Sequence, residues 1–179
     1  RRNIGTEDRR FSFQLIDCHQ IPFADATFDL VIANHLLFYC QNLDDCLKEI
    51  HRVLKPGGRL LASTYGQKHM KEITDLVQSF DNRIVLAAEN LYERFGLENG
   101  EKLLSPHYHK VQLLRYYDEI VIDHAEPLIE YILSCHGNQN QLLLDRYKDF
   151  RAFVEDKVRK NFHISEDAGV FLCSKYTHP

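Results

Sequence analysis

The fold is decided by two neighbouring stretches, Phe28-Asp29-Leu30-Val31-Ile32-Ala33-Asn34-His35 and Arg52-Val53-Leu54-Lys55-Pro56-Gly57-Gly58-Arg59-Leu60-Leu61. The first contains a short, unbroken apolar run, which is typical of a strand covered by helices on both faces. In the second, the proline and glycines end a helix, because proline cannot continue it and glycine accepts a left-handed turn. We therefore predict an α/β fold with residues 28–33 in the middle of a parallel sheet.

The segment between these stretches predicts an amphipathic helix. Asn42 can cap its first turn, and Asp44 and Asp45 favour the positive end of the helix dipole. Apolar side chains recur at helical spacing and predict one core-facing stripe. They are Leu43, Cys46, Leu47, Ile50, Val53 and Leu54.

The remaining elements follow from the same patterns of apolar residues. We expect a strand over residues 11–17 that ends at Asp17, and another over residues 59–65. Pro127 suits the first turn of a helix. Further helices are expected over residues 67–80, 84–95 and 143–162, and further strands over 110–117, 120–122 and 169–176.

Composition limits the classes of protein that this chain can represent. With 179 residues, 44% of them hydrophobic and 27% charged, it can bury one ordinary core. The net charge of −4 argues against a nucleic-acid partner, which would need a basic face. No apolar run approaches membrane-spanning length, and Arg1-Arg2-Asn3-Ile4-Gly5 lacks the apolar core of a signal peptide. We expect no membrane partner.

The cysteines and histidines predict no metal site. The five cysteines are odd in number, lie mostly in apolar runs and include no close CxxC pair, which favours reduced, buried thiols in a cytoplasmic protein. His107 and His109 could share one side of an extended segment. No third ligand is suggested near them, so we interpret them as surface histidines.

Three early segments resemble class I S-adenosylmethionine-dependent methyltransferases. Residues 17–23 are similar to a strand that ends in an acid and enters a Leu-Pro-Phe-like turn, residues 28–31 to the next strand, and residues 52–58 to a helix-to-strand signature. Residues 62–66, 96–100 and 167–172 resemble a bacterial branch that acts on small or undetermined substrates. The resemblance implies a Rossmann-like methyltransferase sheet, mostly parallel, with an antiparallel C-terminal strand.

The same resemblance implies which residues contact the cofactor. In these enzymes an acid at the position of Asp17 accepts a hydrogen bond from the adenine amine, and the residue at Cys18 offers its backbone amide. Asn34 and His35 follow the next strand, where the methionine part of S-adenosylmethionine and the acceptor would meet. Ordinary loop-capping or turn-forming roles remain the alternative for Asp17, Asn34 and His35.

The implied reaction is methyl transfer to oxygen, nitrogen or carbon of a small molecule, which requires no universal catalytic side chain. If the acceptor must lose a proton, His35 is the candidate base. Tyr39, Tyr65 and His69 are candidate substrate contacts, with packing or surface roles as the alternative. Residues 67–109 occupy the place of the cover over the acceptor.

A glycine-rich cofactor loop is absent from this sequence. Gly57 and Gly58 end a helix, whereas phosphate loops open one, so we interpret this pair as structural. We expect residues 1–179 to be the C-terminal part of a single methyltransferase domain, with its N-terminal strands missing and no activity alone. The edge of residues 28–33 would then be exposed, and the chain could self-associate through it. A non-catalytic α/β binding or scaffolding domain is the alternative function.

Overall fold

The computed structural model describes residues 10–176, so the segment Arg1–Gly5 considered above lies outside the described residues. Four strands and seven helices are present in this range, with short 3-10 helices at Leu37–Tyr39 and Leu144–Arg146. The strands are β1 (Phe28–Asn34), β2 (Leu54–Tyr65), β3 (Lys110–Ile122) and β4 (Phe162–Ser174). The helices are α1 (Leu43–Val53), α2 (Lys71–Phe80), α3 (Leu91–Arg94), α4 (Gly100–Leu104), α5 (Ala125–Ser134), α6 (Gln139–Leu143) and α7 (Tyr147–Val158).

The strands form one mixed sheet in the order β1-β2-β4-β3. β1 and β2 are parallel and are joined by α1, as the sequence predicted. β4 runs antiparallel to both of its neighbours, β2 and β3. The α/β class is thus confirmed, but the expectation of a mostly parallel sheet is wrong for the described residues. The reason is that β4 inserts between β2 and β3 and pairs with β3 from Lys110 opposite Ser174 to Ile122 opposite Phe162.

β1 lies at an edge of the sheet and not in its middle. Within the described residues it pairs only with β2, and its side chains Leu30 and Ile32 are 46% and 62% exposed. The strand expected over residues 11–17 is not formed there; only an isolated bridge joins Asp17 to Gln20. A strand needs a neighbouring strand for its backbone groups, and the four strands of the described sheet do not include residues 11–16. Within residues 10–176, β1 therefore forms one edge of this sheet, and self-association through it stays a prediction.

The cap and the buried stripe of α1 follow the predicted chemistry, but β2 begins at Leu54, directly after α1, and includes residues 55–58, which were expected to precede the strand. The side-chain oxygen of Asn42 accepts the backbone N–H of Asp45 at 3.3 Å, which caps α1. Four residues of the predicted stripe within α1 are buried: Cys46, Leu47, Ile50 and Val53. Gly57 has a positive φ of 74°, which glycine adopts without strain. The glycine pair therefore shapes the start of β2.

The apolar side chains form two separate clusters. One lies around β1, β2 and α1 and includes Phe95 and Phe171, whose rings meet edge to face at 5.7 Å. The other joins α2, α5 and α7. The segment expected to cover the acceptor is divided between them, because α2 packs in the second cluster and residues 95–108 pack in the first.

The helix expected over residues 84–95 is wrong except for α3. The side chain of Asn138 explains this difference: its oxygen accepts the N–H of Val85 at 2.8 Å, and its amide donates to the carbonyl of Arg83 at 2.9 Å. These backbone groups are satisfied by a side chain instead of a helix. The helix expected over residues 143–162 is similarly divided, into a 3-10 turn and α7. Between Arg10 and Tyr176, no helix has the length and apolar character to cross a membrane.

Candidate cofactor and acceptor site

Asn34 and His35 lie at the carboxyl end of β1, where Ser63 of β2 holds them. The Ser63 hydroxyl donates to Oδ1 of Asn34 at 2.5 Å and accepts the backbone N–H of His35 at 3.0 Å. His35 has a positive φ of 47°, a conformation that side-chain-bearing residues adopt rarely and that recurs at functional turns. This bonding fixes the end of both strands and leaves the imidazole of His35 exposed.

The structure brings the remaining candidate acceptor residues to the same place. The ring of His35 stacks near that of Tyr65, with centroids 6.4 Å apart, and Tyr65 lies 5.2 Å from His69. The buried ring of Phe38 contacts both Tyr65 and Tyr39, at 5.5 and 4.7 Å. Tyr39 remains 61% exposed. His35, Tyr39, Tyr65 and His69 therefore form one aromatic group around Phe38.

A cavity of about 770 Å³ opens beside this group, between β2, α2 and α5. Tyr65 and His69 line it, whereas His35 and Tyr39 do not. Other lining residues are Lys68, Met70, Ile73, Glu89, Tyr92 and Tyr131. Within residues 10–176 the buried Nδ1 of His69 has no hydrogen-bond partner, and burial lowers the pKa of this imidazole. His69 therefore offers an unpaired ring nitrogen near a cavity.

Asp17 lies apart from this cavity, on the solvent side of its loop. Its carboxylate accepts the backbone N–H of His19 at 2.9 Å and lies 2.8 Å from Nδ1 of the same histidine. These two hydrogen bonds hold the pKa of Asp17 below its ordinary value. Cys18 turns the other way, and its sulfur lies 3.6 Å from that of Cys40. The loop thus contacts the segment that follows β1 through Cys18, while the carboxylate of Asp17 faces solvent.

Arg52 anchors this loop to α1, a role that the sequence analysis missed. Its guanidinium donates to the carbonyls of Ile21 and Phe23 at 2.9 and 2.8 Å. Glu49 completes the anchor by accepting the backbone N–H of Ile21 at 2.9 Å. The i, i+3 spacing of an acid and an arginine in the matched helix was the available signal. Their distant backbone partners could not be read from it.

Three of the five cysteines converge near the same loop. The sulfurs of Cys18, Cys40 and Cys46 lie within 4.8 Å of one another, and none of the five cysteines, all within the described range, forms a disulfide. They come from the loop, from the residue after the first 3-10 helix, and from α1. Their sequence spacing gave no indication of this grouping.

Comparison with known proteins shows that part of the chain is similar to methyltransferases. Residues 1–62 match the model of the methyltransferase domain family. The sterol 4-C-methyltransferase strm-1 of Caenorhabditis elegans is 48% identical over 59 residues, which are 33% of this chain and 17% of that protein. A malonyl-[acyl-carrier protein] O-methyltransferase of Pseudescherichia vulneris is 33% identical over 94 residues, or 50% of this chain and 38% of that enzyme. The chain thus spans less than half of each of these relatives.

Two solved structures share the fold at low identity. YcgJ from Bacillus subtilis superimposes with a TM-score of 0.54 and 17% identity, over 93% of this chain and 71% of that one. The [4+2]-cyclase SpnF gives a TM-score of 0.51 and 16% identity, over 96% of this chain and 59% of that one. Residues 1–62 thus resemble the methyltransferase domain family, and the fold of the chain is similar to that of these two structures.

Proposed function

We propose that the protein containing this chain transfers a methyl group from S-adenosylmethionine to a small-molecule acceptor. The observation that carries this proposal is the aromatic group of His35, Tyr39, Tyr65 and His69 beside the 770 Å³ cavity. It stands where β1 and β2 end, and open α/β sheets bind ligands at the carboxyl ends of their strands. The methyltransferase family match implies the cofactor.

The residues that would hold S-adenosylmethionine suit its chemistry. Asp17 has an exposed, ionised carboxylate that can accept hydrogen bonds from an amine, and the backbone amide of Cys18 is the adjacent donor proposed for the ring. Asn34 and His35 would face the amino-acid end. These residues make one wall of a site, and we propose that residues preceding this chain make the other.

When bound, S-adenosylmethionine supplies an activated methyl group, and the protein's task is to align the acceptor and exclude water. Tyr65 and His69 line the cavity and would orient the acceptor. Tyr39 would reach the acceptor only from outside the cavity, where its ring packs on Phe38. The exposed imidazole of His35 could take a proton from an acceptor hydroxyl or amine. Residues 67–109 contribute most of the lining and would cover the acceptor.

The acceptor is proposed only as a small molecule. The two curated relatives are named for a sterol and for a malonyl group on an acyl-carrier protein, so their names favour no single acceptor. The cavity itself combines aromatic walls with Lys68 and Glu89 at its lining. Such a lining suits an acceptor that has both an apolar body and a polar group.

A non-catalytic binding or scaffolding domain is the second candidate. The observation that favours it is the position of Asp17, which lies outside the described cavity. The fold alone does not decide between the two functions, since one fold hosts many.

Isothermal titration calorimetry tests the proposal. S-adenosylmethionine would be titrated into this chain and into a longer form that includes the residues encoded upstream. We expect micromolar binding by the longer form alone. In that form, Asp17→Asn should weaken binding by about tenfold, the cost of one charged hydrogen bond, while the exposed control Asp145→Asn should not. Failure of both forms to bind would favour the scaffold.

A further inference from the structure

The three clustered thiols come from three different segments of the chain: the loop before β1, the residue after the first 3-10 helix, and α1. Cys46 is fully buried in α1, and Cys40 is 5% exposed after the 3-10 helix. Cys18 is half-buried and lies toward the surface in the loop. The cluster therefore has a closed inner side and an approach from solvent through Cys18.

The distance between the Cys18 and Cys40 sulfurs is close to that in a tetrahedral metal centre, and Cys46 lies near enough to complete a three-thiolate site. Sulfurs about 2.3 Å from a zinc ion at tetrahedral angles lie about 3.8 Å apart. The Cys18 and Cys40 sulfurs are 3.6 Å apart, and Cys46 lies within 4.8 Å of both. A disulfide would instead require about 2.05 Å.

Polar groups surround the cluster in a way that an apolar core would not need. Nδ1 of His19 lies 3.7 Å from the Cys18 sulfur, and the ligand atoms of Asp17, Cys18 and His19 also lie within 4.8 Å of one another. The Arg94 guanidinium donates to the carbonyl of Cys40 at 3.4 Å. Three thiolates and a divalent ion carry one net negative charge, which this guanidinium would offset.

We propose that Cys18, Cys40 and Cys46 bind a thiophilic divalent metal ion, with Zn²⁺ as the expected occupant and its fourth coordination position open toward His19. Binding releases the three thiol protons, because thiolates are the ligands. The ion would tie the loop at Cys18 to α1 and to the segment after β1. This inference revises the sequence-based prediction of no metal site and does not depend on the proposed methyl transfer.

The direct test is a zinc titration of the reduced, tag-free chain after treatment with a chelator. Zn²⁺ would be added in competition with a chromophoric chelator, and we expect one equivalent to bind. Cys18→Ser should weaken the affinity by at least about tenfold, the lower range found even for groups that only support a ligand. Cys135→Ser is the matched control, since that thiol lies outside the cluster and donates to the Tyr131 carbonyl at 3.4 Å.

Two measurements on the unmutated chain keep the test independent of the folding of a variant. Added Co²⁺ should give the intense visible bands of a tetrahedral ion with thiolate charge-transfer bands in the near ultraviolet. Zn²⁺ should also slow alkylation of Cys18, mapped by mass spectrometry, without slowing that of Cys135. Octahedral Co²⁺ spectra, unchanged alkylation of Cys18, or wild-type affinity in Cys18→Ser would each overturn the proposal.

Discussion

Arg52 and Glu49 form a two-pronged ion pair in which Nε and Nη2 of the arginine each donate to one carboxylate oxygen at 2.8 Å. The same guanidinium also donates to the Asp25 carboxylate at 2.8 Å. Such paired bonds fix orientation as well as distance, because the guanidinium is planar. This pair therefore sets how the loop that carries Asp17 lies against α1.

We predict that Arg52→Lys loosens this loop, because a lysine ammonium cannot donate to three carboxylate oxygens and two carbonyls at once. Hydrogen exchange at residues 19–25 should become faster, and the melting temperature should fall by at least about 2 °C. Arg151→Lys is the control, since the exposed Arg151 of α7 pairs with Glu155 of the same helix and with Glu126 of α5. Unchanged exchange at residues 19–25 would show that the anchor is unimportant.

The Glu49 carboxyl should make stability depend on pH. The hydrogen bonds from Arg52, and then that from Ile21, lower its pKa from 4.5 to about 2. A lowered pKa in the folded state stabilises the protein above pH 4.5, and this contribution is lost as the pH falls toward 2. The difference in free energy of unfolding between wild type and Glu49→Gln, measured by urea denaturation, should therefore shrink over that interval. A difference that stays constant would contradict the prediction.

Substitution of Phe171, in the first core cluster, should strongly destabilise the fold. It is fully buried against Phe95, and a Cβ on Gly100 would come within 2.4 Å of its ring. Phe171→Ala should cost about 3–5 kcal/mol of unfolding free energy, and Gly100→Ala should also destabilise by overpacking. In Gly100→Ala/Phe171→Leu the two costs should not add, because the smaller side chain relieves the clash. Additive costs, measured by denaturant unfolding, would rule out this contact.

The β1 edge should mediate self-association of this chain. Its unpaired backbone groups and exposed Ile32 form a surface that another strand can extend. Ile32→Lys should shift the molar mass measured by light scattering toward the monomer. Val121→Lys places the same change at a 47% exposed position of β3, on the other edge, and should not shift it. If the wild-type chain is monomeric at high concentration, this edge is not an association site.

The correct sequence predictions concern features that are fixed by near neighbours. Asn42 caps α1 through Asp45, three residues away, and Gly57 adopts a left-handed conformation that its own backbone freedom permits, where the register of β2 with β1 shifts. The helix expected over residues 84–95 failed because Asn138, 53 residues beyond Val85, binds its backbone. The strand expected over residues 11–17 failed because a strand requires a partner that local pattern cannot supply.

The candidate site also combines features that the sequence predicts with features that depend on distant contacts. Asn34, His35 and Tyr65 could be placed together because parallel strands present their carboxyl ends at one edge. Two other contacts arise only when the loop folds onto α1. They are the contact of Cys18 with Cys40 and the hydrogen bond from the Arg52 guanidinium to the carbonyl of Ile21. No periodicity in the sequence encodes a contact of that kind. The cofactor roles of Asp17, Cys18, Asn34 and His35 stay predictions.

The left-handed backbone of His35 limits which amino acids can replace it. Glycine, asparagine and aspartate tolerate that conformation, whereas valine or isoleucine would strain it. A randomised library at codon 35 should therefore return few folded members, and the survivors would offer an amide, a carboxylate or no side chain in place of the imidazole. Laboratory evolution of new reactivity would have to start from those few alternatives.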